Sequence, residues 1–108
     1  MIHEVVLSAD AAADLVEIVE WIAAHDSAAR AEHVLARIQA AMAKLGRFPQ
    51  RGAYPGELLA LGIRDYRETA FKPYRILYFL EDRKVTIVLI ADGRREMQTL
   101  LARRLLGA

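Results

Sequence analysis

The apolar residues of this chain change their spacing twice. Ile2 to Leu7 is a short apolar run rich in β-branched residues and predicts an opening strand. From Leu15 the spacing becomes helical. Leu15, Ile18, Val19 and Ile22 recur at i, i+3, i+4 and i+7 and mark one face. Ser8 stands where an N-cap belongs, and Asp10, Asp14 and Glu17 lie near the end of the helix whose dipole favours anions. His25-Asp26-Ser27 interrupts the pattern. Ser27 is a second cap, and Ala31, Val34, Leu35, Ile38, Ala41, Met42 and Leu45 form a longer stripe that leaves at Gly46. Helices over 10–24 and 28–45 with so short a break predict an antiparallel hairpin. Trp21, beside the first stripe, reads as a packing residue, and His25 as an exposed helix end.

Phe48 to Gly62 holds Pro49, Pro55, Gly52 and Gly56 and predicts a loop with one helical turn at 57–61. Beyond Gly62 the period falls to 2. Three strands are expected near 63–70, 74–81 and 84–91, with turns at Lys72-Pro73 and Asp82-Arg83. Val85 to Ile90 is almost wholly apolar, as an interior strand covered on both faces would be. Asp92-Gly93 ends the sheet, with Asp92 expected to cap a last helix from about Arg94 to Leu106. The order is β-αα-βββ-α. Grouped helices predict an α+β fold, with the hairpin on one face of a small, mainly antiparallel four-stranded sheet. The other face is expected to be a shallow groove of Tyr and Arg side chains.

The chain has 108 residues, enough for one domain with its own core, and it has no cysteine. A disulfide framework, a thiol nucleophile and a thiolate metal site are thereby excluded. No secretory leader and no apolar run of membrane-spanning length is found, so a soluble, cytoplasmic protein with no membrane contact is expected. Charge is unevenly spread. Residues 1–54 carry five basic against seven acidic residues, and residues 55–108 carry ten against seven. The cations gather on the sheet and last helix. Arg64, Arg67, Arg75, Arg94 and Arg95 are the candidates for binding an anion or a target, because each guanidinium is a planar fork of donors for phosphate or carboxylate. No metal and no cofactor are expected.

The segments Phe48-Pro49…Gly52…Pro55-Gly56-Glu57-Leu58, Gly62-Ile63-Arg64-Asp65-Tyr66-Arg67-Glu68, Pro73-Tyr74-Arg75-Ile76-Leu77-Tyr78 and Asp92-Gly93-Arg94-Arg95-Glu96-Met97 resemble the RelE/ParE family of toxins from type II toxin–antitoxin modules. With the opening strand and hairpin, the likeness spans essentially the whole chain. It implies a growth-inhibiting toxin of the plasmid-stabilisation type. Its cognate antitoxin would neutralise it, and promoter DNA would be reached only through that antitoxin. RelE-like members cleave mRNA on the ribosome, and ParE-like members poison DNA gyrase.

In the RelE-like pattern the strands carry basic residues, the last turn carries an Arg, and the final helix carries a Tyr or His. Arg75 and Arg95 match the two arginines. Leu101 falls near where the tyrosine would be, Tyr66 and Glu68 fall near the strand lysines, and His3, His25 and His33 all precede the sheet. The resemblance therefore implies a gyrase-directed toxin without catalysis of its own. A ribosome-dependent ribonuclease and a non-toxic antitoxin-binding relative remain as alternatives. If the chain is a ribonuclease, the candidate catalytic residues are Arg75, Arg95, Tyr78 and Glu96. Tyr66, Tyr74, Glu68 and Asp92 are further proton carriers.

Overall fold

The structure, a computed structural model, describes residues 2–107. Its elements are β1 (Glu4–Leu7), α1 (Ala9–His25), α2 (Ala28–Lys44), α3 (Gly56–Leu59), β2 (Arg67–Phe71), β3 (Tyr74–Glu81), β4 (Lys84–Asp92) and α4 (Met97–Leu106). The sheet order is β1-β4-β3-β2. β1 runs parallel to β4, and the other pairs are antiparallel. This is the α+β architecture that the periodicity predicts. Both expected caps form: Ser8 Oγ accepts from the Ala11 amide at 3.1 Å and Ser27 Oγ from the Arg30 amide at 3.0 Å.

The helical hairpin packs on one face of the sheet. Ile22 of α1 and Val34, Ile38 and Met42 of α2 meet Ile76, Tyr78, Val85, Ile87 and Ile90. The opposite face is not an open groove, contrary to the reading of the sequence. Leu58 of α3 and Met97 and Leu101 of α4 close over Leu77, Leu89 and Ala91 as a second core. An amphipathic α4 must bury its stripe somewhere, and the bare sheet face is the surface at hand. β4 serves both cores, as its apolar run predicts. An extra residue in β4 at Val88, between the pairs Tyr78↔Ile87 and Leu77↔Leu89, makes the switch. The bulge reverses the alternation, so Ile87 and Ile90 face the hairpin while Leu89 faces α4.

Three boundaries differ from the sequence reading. β2 begins at Arg67, not near residue 63. Gly62 takes φ +76°, the Ile63 amide bonds back to Leu58 O, and Ile63 and Tyr66 pack into the second core without a ladder partner. α3 spans Gly56–Leu59, beginning one residue and ending two residues before its predicted turn. α4 begins at Met97, so Arg94 and Arg95 precede the helix. Its N-cap is Glu96, whose carboxylate accepts from the Gln98 and Thr99 amides at 3.1 and 2.8 Å. Asp92 instead ends β4, and its Oδ1 accepts from the Arg94 amide in a tight turn.

Candidate functional site

Arg75 lies on β3, on the sheet face turned away from the hairpin. Its guanidinium is fully engaged. Nε donates to Glu68 at 2.6 Å, both terminal nitrogens donate to Glu57 at 2.8 Å, and one also reaches Glu68 at 3.1 Å. Glu57 comes from α3 and Glu68 from β2, so one side chain ties three elements together. The arginine holds the Glu57 carboxyl down at about 2, with partial burial opposing the shift. The same contacts raise the Arg75 pKa above its already high value. Two carboxylates on one guanidinium leave a net charge of about −1 at this place, which repels phosphate.

Gly93 makes room for that arrangement. A Cβ there would lie 2.8 Å from Arg75 Cδ and 3.1 Å from Pro73 O. The Gly93 amide bonds to Pro73 O at 2.7 Å, which fixes the turn over the arginine stem. Arg75 and Arg95, both anion-binding candidates in the sequence, do not converge on one place in this structure. Arg95 opens onto a different hollow, and the donors of Arg75 are committed.

The other candidates separate in the same way. Tyr78 is completely buried and donates its hydroxyl to Pro49 O, so it is closed to a substrate. Burial pushes its phenol pKa up. Arg67, on the hairpin side of β2, donates to Gln50 O at 3.2 Å, Gly52 O at 2.9 Å and the Tyr54 hydroxyl at 3.0 Å. Arg67 thereby holds the loop after α2 in place. Glu96 is occupied as the cap of α4, which draws its pKa down. Arg64 is exposed. In α4 the buried Leu101 packs with Met97 against Leu77, Leu89 and Ala91 of the sheet. Among the described residues no cluster of three His, Asp or Glu could hold a metal.

Arg94 and Arg95 line a cleft of about 360 Å³ between α1 and the end of β4, together with Trp21, Glu17, Tyr74 and Ile90. Arg94 is paired with Asp92 at 2.6 Å, yet its side chain is 79% exposed. Arg95 is exposed and has no ion pair among the described residues. Burial and the Asp92 carboxylate raise the Tyr74 pKa, with Arg94 opposing. Trp21 is not a packing residue as the sequence suggests. It is 61% exposed and stacks on His25 with ring centroids 4.3 Å apart. The helical stripe gave no signal of this, because Trp21 adjoins the apolar face without belonging to it. Glu57, the main partner of Arg75, was likewise invisible to local spacing: it lies 18 residues away from it. A second, apolar hollow of about 210 Å³ runs between α3 and α4, lined by Leu58, Leu61, Ile63, Leu101, Leu105 and Leu106.

The family profile described as ParE toxin of type II toxin-antitoxin system, parDE, matches residues 5–97. No curated protein matches the sequence. Two of the solved structures that share the fold are toxin–antitoxin assemblies. The chromosomal ParDE toxin–antitoxin system of P. aeruginosa aligns with a TM-score of 0.71 at 18% identity, over 84% of this chain and 96% of that one. The toxin–antitoxin complex RelBE2 of Mycobacterium tuberculosis aligns with a TM-score of 0.61 at 19% identity, over 85% and 92%. Among the described residues no helix is long and apolar enough to cross a membrane.

Proposed function

The chain belongs to the ParE toxin family of type II toxin–antitoxin systems, and from that membership we propose that it arrests growth by binding DNA gyrase, without bond-breaking chemistry of its own, until a cognate antitoxin covers it. The observation that carries the non-catalytic reading is the saturation of Arg75 by Glu57 and Glu68. A ribonuclease site needs a free cation for the phosphate and a positioned acid or base. Here the strand arginine sits in an anionic triad. Tyr78 is in the core, Glu96 caps a helix, and the buried Leu101 falls near where the resemblance would put a tyrosine.

The antitoxin reading rests on family membership and on two neighbours that are themselves toxin–antitoxin assemblies. The α3–α4 groove suits such a partner. Leu61 is 58% and Leu106 64% exposed at its rim, and an amphipathic segment laid along it would bury both.

The experiment is a pair of assays on the purified toxin. Inhibited gyrase supercoiling with accumulated cleaved DNA, at unchanged cell-free translation, is the expected result. Cleavage of mRNA on ribosomes with supercoiling intact would replace this reading with the RelE-like one. Tight antitoxin binding with neither effect would mark a relative that has lost toxicity.

A further inference from the structure

We propose that the loop after α2 is a binding surface for single-stranded nucleic acid, in which Lys44, Arg47 and Arg51 contact backbone phosphates and Phe48 stacks against an unpaired base. The sequence Lys44-Leu45-Gly46-Arg47-Phe48-Pro49-Gln50-Arg51 holds three cations and no acid. All three cations are exposed, and among the described residues none forms an ion pair. Lys44 has a local reason for its charge at the C-terminal end of α2. Arg47 lies beyond the helix and has none, and Arg51 has only the Phe48 ring beside it.

Phe48 is 44% exposed, and the Arg51 guanidinium lies over its ring at 4.0 Å. Together they form a flat platform, cationic and aromatic at once. That is the chemistry with which unpaired bases and their phosphates are held without sequence readout. Two hollows of about 190 and 420 Å³ share Phe48 and Arg51. One includes Lys44 and the other Arg47. Glu68 also lines the smaller hollow, but its carboxylate is held by Arg75.

The loop is rigid by construction. Tyr78 donates to Pro49 O, Arg67 donates to Gln50 O and Gly52 O, and the His3 amide donates to Gly46 O at 2.6 Å. Gly52 has no room for a side chain, since a Cβ would come within 2.2 Å of the Tyr78 hydroxyl. A loop whose carbonyls accept from other parts of the chain, and whose cations form no ion pair among the described residues, is preorganised for an anionic partner. The inference is independent of the enzyme that the toxin inhibits.

The test is fluorescence anisotropy of labelled single-stranded and duplex oligonucleotides of equal length with the purified chain. Three phosphate contacts predict a log–log salt slope of about −2, or about a 20-fold loss of single-strand affinity between about 50 and 200 mM salt. Each of Lys44→Gln, Arg47→Gln and Arg51→Gln should lower the slope by about 0.7. Phe48→Ala should weaken the single strand about tenfold and the duplex little, and Phe48→Trp should restore binding with quenched indole emission. Melting curves confirm that each variant folds. Equal binding of single strand and duplex with no effect of Phe48→Ala would overturn the proposal. So would competition by polyglutamate as strong as that by the oligonucleotide, or affinity unchanged in the triple Gln variant.

Discussion

Asp14, on the second turn of α1, and Arg104, near the end of α4, form a bidentate ion pair that closes the open edge of β4. The two helices lie on opposite faces of the sheet, and the pair joins them past the point where β1 ends. Arg104 donates to both oxygens of Asp14 at 2.8 and 2.9 Å and to Val88 O at 2.8 Å. Asp14 also accepts from the Ile90 amide at 3.0 Å. The bulge at Val88 lies beyond the β1 pairing, and these side chains complete its hydrogen bonding. Asp14→Ala or Arg104→Ala should each cost about 2–3 kcal/mol, because each leaves a mostly buried partner and a backbone group unsatisfied. Urea titration of both single variants and the double variant checks this. Additive losses would show that the two side chains do not act as a unit.

The pairing of Glu57 with Arg75 predicts an acid-sensitive fold. Bonded to the guanidinium, Glu57 titrates at about 2 rather than at its ordinary 4.5. A carboxyl depressed on folding stabilises the native state above its unfolded pKa. That contribution is lost as pH falls from about 4.5 towards 2. With roughly a quarter of the Glu57 side chain exposed, solvent screening reduces it to about 1–2 kcal/mol. The melting temperature should fall over that window in the native chain and fall less in Glu57→Gln. Parallel acid limbs for the two proteins would contradict the pairing.

Arg75 and Arg95 look alike in the sequence, both candidates for binding an anion or a target. The structure separates them. Arg75→Ala would leave Glu57 and Glu68 facing each other and should destabilise by about 2 kcal/mol. Arg95→Ala removes an exposed, unpaired cation and should stay within about 0.5 kcal/mol. If gyrase is reached through the cleft beside α1, Arg95→Ala lowers toxicity at unchanged melting temperature. Growth arrest and thermal melting measured on the same two variants separate the roles. An Arg75→Ala protein that melts like the parent would free Arg75 for the phosphate role read from the sequence.

The elements were legible because each has a local cause. The helical stripes of α1 and α2, the serine caps and the apolar run of β4 all act within a few residues. What escaped depends on distant partners. The second core required α4 to fold back on the sheet, and the bulge at Val88 shows no mark in the run Val85 to Ile90. Glu96 displaced Asp92 as the cap because Asp92 still belongs to the ladder, paired with Tyr74. At the site, the arginines were visible and their partners were not. A guanidinium is a candidate ligand for any anion, and only the fold shows that for Arg75 the anions are Glu57 and Glu68.

Trp21 is the sole tryptophan, so its emission reports on the cleft alone. Its exposure predicts red-shifted emission, readily quenched by iodide in the free protein. Trp21→Ala should cost no more than about 2 kcal/mol, since only about two-fifths of the side chain is buried. Aromatic residues flanked by arginine are frequent anchors of protein interfaces. A partner seated on this cleft should shift the emission to the blue and protect it from quenching. Blue-shifted, protected emission from the free chain would instead mean that Trp21 packs as the sequence suggested.

Gly93 gives the sharpest test of the turn over Arg75. Its φ is not in the left-handed region, so a side chain there meets no backbone strain of its own. The obstacle is space. The neighbouring Arg75 stem cannot swing aside, because four hydrogen bonds hold its head to two carboxylates. Pro73 O cannot retreat without lengthening its bond from the Gly93 amide. Gly93→Ala should therefore destabilise by about 1–3 kcal/mol, as overpacking does. The loss should shrink when the arginine is shortened, so Gly93→Ala in an Arg75→Ala background should cost less than in the native chain. A chemical-denaturation cycle over the four proteins measures the coupling. Equal cost in both backgrounds would place the obstacle at Pro73 rather than at the arginine, and the close approach of Gly93 to Arg75 would then carry no energetic weight.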